Sequence, residues 1–265
     1  MRRASVNRRN ARAAQIFFGA TLNTGPPVPG LPYLYTSDLI DGCRRIRAHG
    51  FQTVDLLIAD PEQHSRAELR AVFLKHGLRL SAIATGGAWF SRRLHLASPN
   101  PLVRRRASAF VRGSLELAGT CGAAVILGRV AGVVEDGVPR AQALAWLAGE
   151  LGKLSEEAAR QGSWILIEPL SRRETSLLNR LDEGVDLIRR IPGSRVRLLA
   201  DWFHLYAEEP SPAQALRRAG PFIGHVHISG RDRGVADSLE TEELRDALNQ
   251  AGFHGDVVVE ALPEP

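Results

Sequence analysis

Four ionisable side chains stand where short apolar runs in the C-terminal half of the chain end. Glu168 follows Trp-Ile-Leu-Ile, Asp201 follows Leu-Leu-Ala, and Glu260 follows Val-Val-Val. His227 lies within Gly-His-Val-His-Ile-Ser. A single residue of this kind is usually a cap or an ion-pair partner. A set of four is different, because charged groups beside buried segments are costly unless they are paired or bound to a metal.

We predict that Glu168, Asp201, His227 and Glu260 together bind one divalent metal ion. Three carboxylates and one imidazole are a mostly oxygen donor set, for which Mn²⁺ is the preferred ion and Mg²⁺, Co²⁺ and Zn²⁺ are the alternatives. His225 comes two residues before His227, so both side chains lie on the same face of the strand. We expect His225 to be a buried structural histidine.

Eight short apolar runs without proline alternate with longer segments of helical periodicity. Near-continuous apolar runs are typical of parallel strands that are covered on both faces. The runs are Ile16–Ala20, Thr53–Ala59, Arg79–Thr85, Ala123–Gly128, Trp164–Glu168, Arg197–Asp201, Ile223–Ser229 and Asp256–Ala261. Helix starts are predicted at Ser37-Asp38, Ser98-Pro99, Pro139 and Ser211-Pro212.

Eight strands with seven intervening helices predict an α/β protein, a (β/α)8 TIM barrel. The chain stops five residues after Glu260, so we expect the eighth outer helix to be missing. In such a barrel the C-terminal ends of the strands meet at one mouth, which would bring the four ligand residues together. The missing helix would leave the outside of the last and first strands to be covered by another segment or by a second subunit, so a homodimer is predicted.

Composition limits the other classes of protein. No apolar stretch is long enough to span a membrane, and two cysteines, Cys43 and Cys121, fit a reducing cytoplasm. Of 34 basic residues, five are arginines within residues 1–12, which leaves 29 basic against 29 acidic residues elsewhere. We therefore predict a basic N-terminal tail over residues 1–13, one catalytic domain over residues 14–265, and no binding to nucleic acid or membranes.

Four segments carry a resemblance to a known family. They are Glu168-Pro-Leu-Ser-Arg-Arg-Glu174, Asp201-Trp-Phe-His204, His225-Val-His227-Ile-Ser-Gly-Arg-Asp-Arg233 and Gly255-Asp-Val-Val-Val-Glu260. They resemble the xylose isomerase-like TIM barrels, in the sugar isomerase and epimerase branch that includes ketose 3-epimerases and hydroxypyruvate isomerases. The resemblance implies that Glu168, Asp201, His227 and Glu260 bind the metal, and that Glu174, His204 and Arg233 contact the substrate.

The predicted site suggests a reaction. A metal that chelates a carbonyl and a neighbouring hydroxyl acidifies the adjacent C–H bond and stabilises the resulting enediolate. Glu168 and Glu260 lie on strands that are well apart around the mouth, so one can take a proton from one face while the other returns a proton to the opposite face. The resemblance implies the same acid–base roles. We therefore predict an isomerase or epimerase that acts on a ketose or a related small keto-polyol.

Three alternatives remain open. An inosose-type dehydratase would use a similar metal barrel. An apurinic-site endonuclease of the same superfamily is disfavoured, because strands three and four end in Ala84-Thr85-Gly86 and Ile126-Leu127-Gly128 without the further zinc ligands it needs. A barrel that binds ligands without catalysis is disfavoured by the complete ligand set. Trp89 and Phe90 are expected either to form an apolar wall over the substrate or to pack a loop. Arg129 and Arg231 could bind a phosphate or a carboxylate, but arginine is so abundant in this chain that we expect neither to be functional.

Overall fold

Eight parallel strands close into a barrel in the computed structural model, which describes residues 15–28 and 30–262. Neighbouring strands follow the order of the chain, and the first strand pairs with the last to complete the ring. The strands are β1 (Ile16–Asn23), β2 (Thr53–Leu57), β3 (Arg79–Ala84), β4 (Ala124–Ile126), β5 (Trp164–Ile167), β6 (Val196–Asp201), β7 (Ile223–Ile228) and β8 (Gly255–Val259). The predicted TIM barrel is confirmed, with one strand in each apolar run.

The described residues form nine α-helices. They are α1 (Leu39–Ala48), α2 (Arg66–His76), α3 (Gly86–Arg92), α4 (Pro101–Gly119), α5 (Arg140–Gln161), α6 (Leu181–Arg189), α7 (Trp202–Glu208), α8 (Pro212–Ala219) and α9 (Ser238–Ala251). Seven of them connect successive strands, whereas α3 and α7 are short additional helices in the loops after β3 and β6. Up to Leu262, where the described residues end, no helix follows β8. The predicted tail, residues 1–13, lies outside the described residues.

The helices begin close to the positions that the capping residues predict. Asp38 accepts hydrogen bonds from the backbone amides of Ile40 and Asp41 at the start of α1. Helix α5 starts directly after Pro139. Helix α4 starts later than Ser98-Pro99 predicts, because Asn100 is the residue whose side chain accepts from the first turn. In the described part of the chain, no helix combines the length and hydrophobicity needed to cross a bilayer.

Apolar side chains occupy two layers. The large core lies between the strands and the outer helices, and alternate strand residues such as Ile165 and Leu198 point into it. Their neighbours Leu166 and Leu199 belong to a small separate cluster inside the barrel. That inner cluster comes from only one part of the ring. Elsewhere the barrel interior is filled by polar side chains, and these lead to the site.

Candidate active site

Four ligand-type side chains converge at the C-terminal mouth of the barrel. Glu168 follows β5, Asp201 ends β6, His227 lies in β7, and Glu260 follows β8. Each offers one ligand atom, and these four atoms lie within 4.8 Å of one another. Glu168, Asp201 and His227 are buried. The structure therefore brings together all four residues that the sequence predicts as metal ligands.

His227 meets a different partner at each ring nitrogen. Its Nε2 lies 2.8 Å from Oδ2 of Asp55. Its Nδ1 is buried and makes no hydrogen bond to any described residue, although Oε2 of Glu260 lies 3.3 Å away. A metal-binding histidine commonly donates its second N–H to a carboxylate while the first nitrogen meets the metal. The orphaned Nδ1, beside the Glu260 carboxylate, therefore fits a metal ligand.

The local electrostatics also favour a cation. Burial, together with the nearby charges of Glu260 and Asp201, raises the pKa of Glu168 well above its usual value. Negative groups that are forced together away from water repel one another, and their ionised forms are disfavoured. A bound divalent cation would offset this repulsion. The donor set and its charge thus both fit the metal ion predicted from the sequence.

Arg233 is the basic residue embedded in this cluster. Its Nη1 donates to Oδ2 of Asp201 at 2.7 Å and lies 3.3 Å from Oε2 of Glu260. Burial alone would raise the pKa of Asp201, but Arg233 and the adjacent histidines outweigh that effect and hold this pKa well below its usual range. Arg233 has a backbone φ of 69°, a left-handed conformation that costs a non-glycine residue of order 1–3 kcal/mol. Strained backbone of this kind is typical of functional positions.

His204 lies on α7, and an N–H donor faces each of its ring nitrogens. Its Nδ1 is 3.1 Å from the backbone N–H of Ser171, and its Nε2 is 3.1 Å from Nη2 of Arg233. A neutral imidazole accepts only one hydrogen bond, so only one of these contacts is satisfied. Burial lowers the pKa of His204, which favours the neutral ring. The Nε2 atom also lies 3.8 Å from Glu174 and 3.9 Å from Glu168.

Glu174 stands at the outer edge of the cluster and pairs with a residue from another loop. Its Oε2 lies 3.3 Å from Nε of Arg129, which follows β4. The Arg129 guanidinium in turn lies over the ring of Phe90, 5.4 Å from the centroid. Trp89 instead packs edge-on against His95. The two aromatic residues after β3 therefore differ in position: Phe90 lines the pocket, whereas Trp89 packs against the loop.

The pocket above the cluster has a charged floor and an apolar wall. The polar lining residues include Glu168, Glu174, His204, Arg233, Glu260, Arg129 and Thr85, and the apolar ones Leu31, Pro32, Leu57, Phe90, Ile126 and Leu170. Gly128 has a positive φ of 45°, and a side chain there would approach Oε2 of Glu168 to 3.3 Å. A glycine at this position leaves room for that carboxylate. A small molecule with several hydroxyls and one apolar flank suits such a pocket.

Asp55 is the residue that the sequence analysis missed. It lies in β2 inside the barrel, fully buried, with Nε2 of both His225 and His227 at 2.8 Å. Burial alone would raise its pKa, but the two histidines outweigh this effect and hold the pKa well below its usual range. The signal in the sequence was an acid in the middle of the apolar run Thr53-Val-Asp-Leu-Leu. His225 is buried, as predicted.

The chain belongs to the xylose isomerase-like TIM barrel family, whose pattern matches residues 43–265. The resemblance seen in the strand-end segments is thereby confirmed.

Proteins with related sequences include epimerases and an isomerase. The chain is 34% identical over 113 residues to D-psicose 3-epimerase from Ruminiclostridium cellulolyticum, a match that spans 42% of this chain and 38% of that enzyme. It is 30% identical over 224 residues to 2-oxo-tetronate isomerase from Cupriavidus necator, which covers 82% of this chain and 84% of that enzyme.

The fold is also that of solved epimerases. A D-psicose 3-epimerase from Clostridium cellulolyticum H10, solved with D-tagatose, superposes with a TM-score of 0.79 at 22% identity, over 93% of this chain and 85% of that one. At this identity the likeness concerns the fold. The residues of the site must be argued from their own contacts.

Proposed function

We propose that this protein is a divalent-metal-dependent isomerase or epimerase of a ketose or a related small keto-polyol. The observation that carries the proposal is the convergence of Glu168, Asp201, His227 and Glu260 around an orphaned histidine nitrogen at the mouth of the barrel. These four residues would hold the ion, and Mn²⁺ is our first expectation. A divalent ion at this site would supply Lewis acidity toward a carbonyl and its neighbouring hydroxyl.

The chain itself would move the protons. Glu168 and Glu260 come from strands separated by two others, and each has a carboxylate oxygen at the same small space. In our proposal one removes the proton beside the substrate carbonyl, which gives an enediolate, and the other returns a proton to a carbon of that enediolate. Return to the same carbon from the opposite face gives epimerisation. Return to the neighbouring carbon, together with passage of the hydroxyl proton to the former carbonyl oxygen, gives isomerisation.

The remaining charged residues would bind and orient the substrate. Arg233 is held by Asp201 and lines the pocket, so its cation is placed to stabilise the negative oxygen of the enediolate. His204 and Glu174 also line the pocket, and in our proposal they contact the hydroxyls. The apolar wall, with Phe90 and Leu31, would cover the rest of the sugar and exclude water from the reacting atoms.

A substrate panel tests this proposal directly. Purified protein with added Mn²⁺ should be incubated with ketoses, ketose phosphates and inososes, with products followed by NMR, and separately with abasic DNA, with cleavage followed on a gel. We expect formation of a C3 epimer or of an aldose–ketose isomer from at least one ketose. Dehydration of an inosose without epimerisation, or cleavage of abasic DNA, would assign the barrel to one of the alternative classes instead. Size-exclusion chromatography with light scattering would check the predicted homodimer.

Arg129 favours a second candidate, in which the substrate is a short sugar acid. Its guanidinium lines the pocket and makes one long contact, at 3.3 Å, to Glu174. Arg233, in contrast, is already engaged by Asp201, Glu260 and His204. The related 2-oxo-tetronate isomerase, which matches most of this chain, is named for a substrate that carries a carboxylate. Arg129 would pair with that group.

The charge of Arg129 can be tested by substitution. If the substrate is a sugar acid, Arg129→Gln should raise its KM by about 10- to 100-fold and change kcat little, because a hydrogen bond between charged groups is worth about 1.5–3 kcal/mol. The matched control is Arg231→Gln, since the Arg231 guanidinium lies over Tyr206 and not in the pocket. An unchanged KM for every acid turned over would exclude a carboxylate-binding role.

A further inference from the structure

We propose that Asp55 is a positioning residue that fixes the ring orientation of His227 and selects Nδ1 as its metal-binding nitrogen. The inference rests on the proposed function insofar as it assumes a metal at the cluster. It extends that proposal to β2, which contributes no ligand. The inference starts from one contact: the Asp55 carboxylate, in the barrel interior, lies against two histidines that are about 170 residues away in the chain.

The Asp55 carboxylate is contacted by three hydrogen-bond donors among the described residues. Ser81 donates from Oγ to Oδ1 at 2.6 Å, while Nε2 of His225 and Nε2 of His227 both lie 2.8 Å from Oδ2. A carboxylate only accepts hydrogen bonds, so both histidines must carry a proton on Nε2. The side chain is fully buried, and water does not compete for these oxygens.

This arrangement determines what His227 can offer to the cluster. With Nε2 committed to Asp55, the nitrogen left for a metal is Nδ1, which lies 3.3 Å from Oε2 of Glu260, one of the four ligand-type residues. Rotation of the ring would break the 2.8 Å contact and leave a buried carboxylate with one partner fewer, which is costly. Asp55 thus orients the ligand and makes it a stronger base, although it lies outside the ligand set.

His225 also helps to hold Asp55 in place. It occupies the same strand face one position deeper, and its ring lies edge-on to that of His227 with centroids 5.2 Å apart. Because both rings bind one oxygen of Asp55, His225 limits the positions that this oxygen can take. The pair also gives β7 two side-chain links to β2 across the interior of the barrel, which holds His227 from the side opposite the metal cluster.

Metal affinity in the absence of substrate tests the proposal. Calorimetric titration with Mn²⁺ alone should show that Asp55→Ala lowers affinity by about 10- to 100-fold, as is usual for partners of metal-binding histidines. Asp55→Asn should recover part of the loss, because its amide oxygen can accept from both rings while its NH₂ group donates to Ser81. Ser81→Ala, which removes only the third donor, should bind Mn²⁺ as the wild type does.

The choice of nitrogen can be read spectroscopically in the wild-type protein. In ¹⁵N-histidine-labelled protein loaded with diamagnetic Zn²⁺, His227 should show a protonated Nε2 and a metal-bound Nδ1. Metal bound to Nε2 would overturn the proposal. It would also be overturned if Asp55→Ala and Asp55→Asn both folded and bound Mn²⁺ with wild-type affinity. If Asp55→Ala fails to fold, the wild-type spectrum and Asp55→Asn still decide. None of these readouts needs turnover, so a failed substrate panel would reject the proposed function and leave this inference to its own test.

Discussion

Replacement of Glu260 by Gln is expected to lower kcat by at least about 100-fold, and Glu168→Gln by a similar factor, because general acid–base catalysis commonly contributes 10²–10⁴-fold. Each substitution keeps an oxygen that can bind the metal and removes the basic oxygen that, in the proposed mechanism, moves the proton. Mn²⁺ affinity should therefore fall less than turnover does. Steady-state kinetics and calorimetric titration on the same preparations would measure the two effects separately.

Solvent isotope incorporation separates the roles of the two carboxylates. If the reaction is an epimerisation, wild-type enzyme in D₂O should place deuterium on the epimerised carbon. Each variant should lose exchange from the epimer whose proton the missing carboxylate removes. Turnover without exchange would favour a hydride shift, and full activity in Glu260→Gln would exclude a mechanism with two bases.

Glu209→Gln is a matched control for the loss of a buried carboxylate. Glu209 is buried, pairs with Arg180 at 3.1 Å and accepts from the backbone N–H of Leu181, but it lies away from the pocket. Its substitution is expected to reduce stability and to leave kcat unchanged. An equal loss of kcat in Glu209→Gln would mean that the effects at Glu168 and Glu260 report general damage to the barrel.

Removal of metal is expected to abolish activity and to lower the melting temperature. A ligand that binds only the folded state at 100 times its Kd stabilises by about 2.7 kcal/mol. For a domain of this size, that corresponds to a shift of about 5–10 °C. The physical reason is that the ion offsets the repulsion among Glu168, Asp201 and Glu260, which burial strengthens. Chelation followed by thermal unfolding with and without Mn²⁺ would measure the shift.

The location of the bound ion needs its own control. Glu260→Ala removes a ligand at the end of β8 and leaves the His227 and Asp55 pair intact. In this variant, the same concentration of Mn²⁺ should give much less stabilisation than in the wild type. Equal stabilisation in both proteins would place the ion elsewhere, and an unchanged activity after chelation would contradict a metal-dependent reaction.

Much of the barrel could be predicted from sequence because a parallel strand that is buried on both faces needs a run of apolar residues. The pattern of apolar runs fails to show the strand where polar residues face the barrel interior. Strand β1 continues beyond Ala20 to Asn23, and Thr21 and Asn23 are buried there through hydrogen bonds to backbone carbonyls. An analysis of apolar runs ends the strand too early, since it treats such residues as loop.

The same limit explains which parts of the site could be predicted. Glu168, Asp201 and Glu260 were visible because each interrupts an apolar run where it ends, at the mouth of the barrel. Asp55 lies within a run, and its partners are about 170 residues away, so no local pattern connects them. The contact of Arg129 with Glu174 likewise joins loops after different strands. The family resemblance suggested Glu174, His204 and Arg233, and all three line the pocket.

The division of the pocket between the two halves of the barrel has a consequence for engineering. The four ligand-type residues come from the second half, on β5 to β8, whereas Leu31, Leu57, Phe90 and Arg129 come from the ends and loops of the first four strands. Loop libraries built after β1, β3 and β4 could therefore be screened for new sugar preferences while the carboxylates proposed to transfer protons are left unchanged. Strand β2 should be excluded from such libraries, because randomising Asp55 would remove its contacts with His225 and His227 on β7.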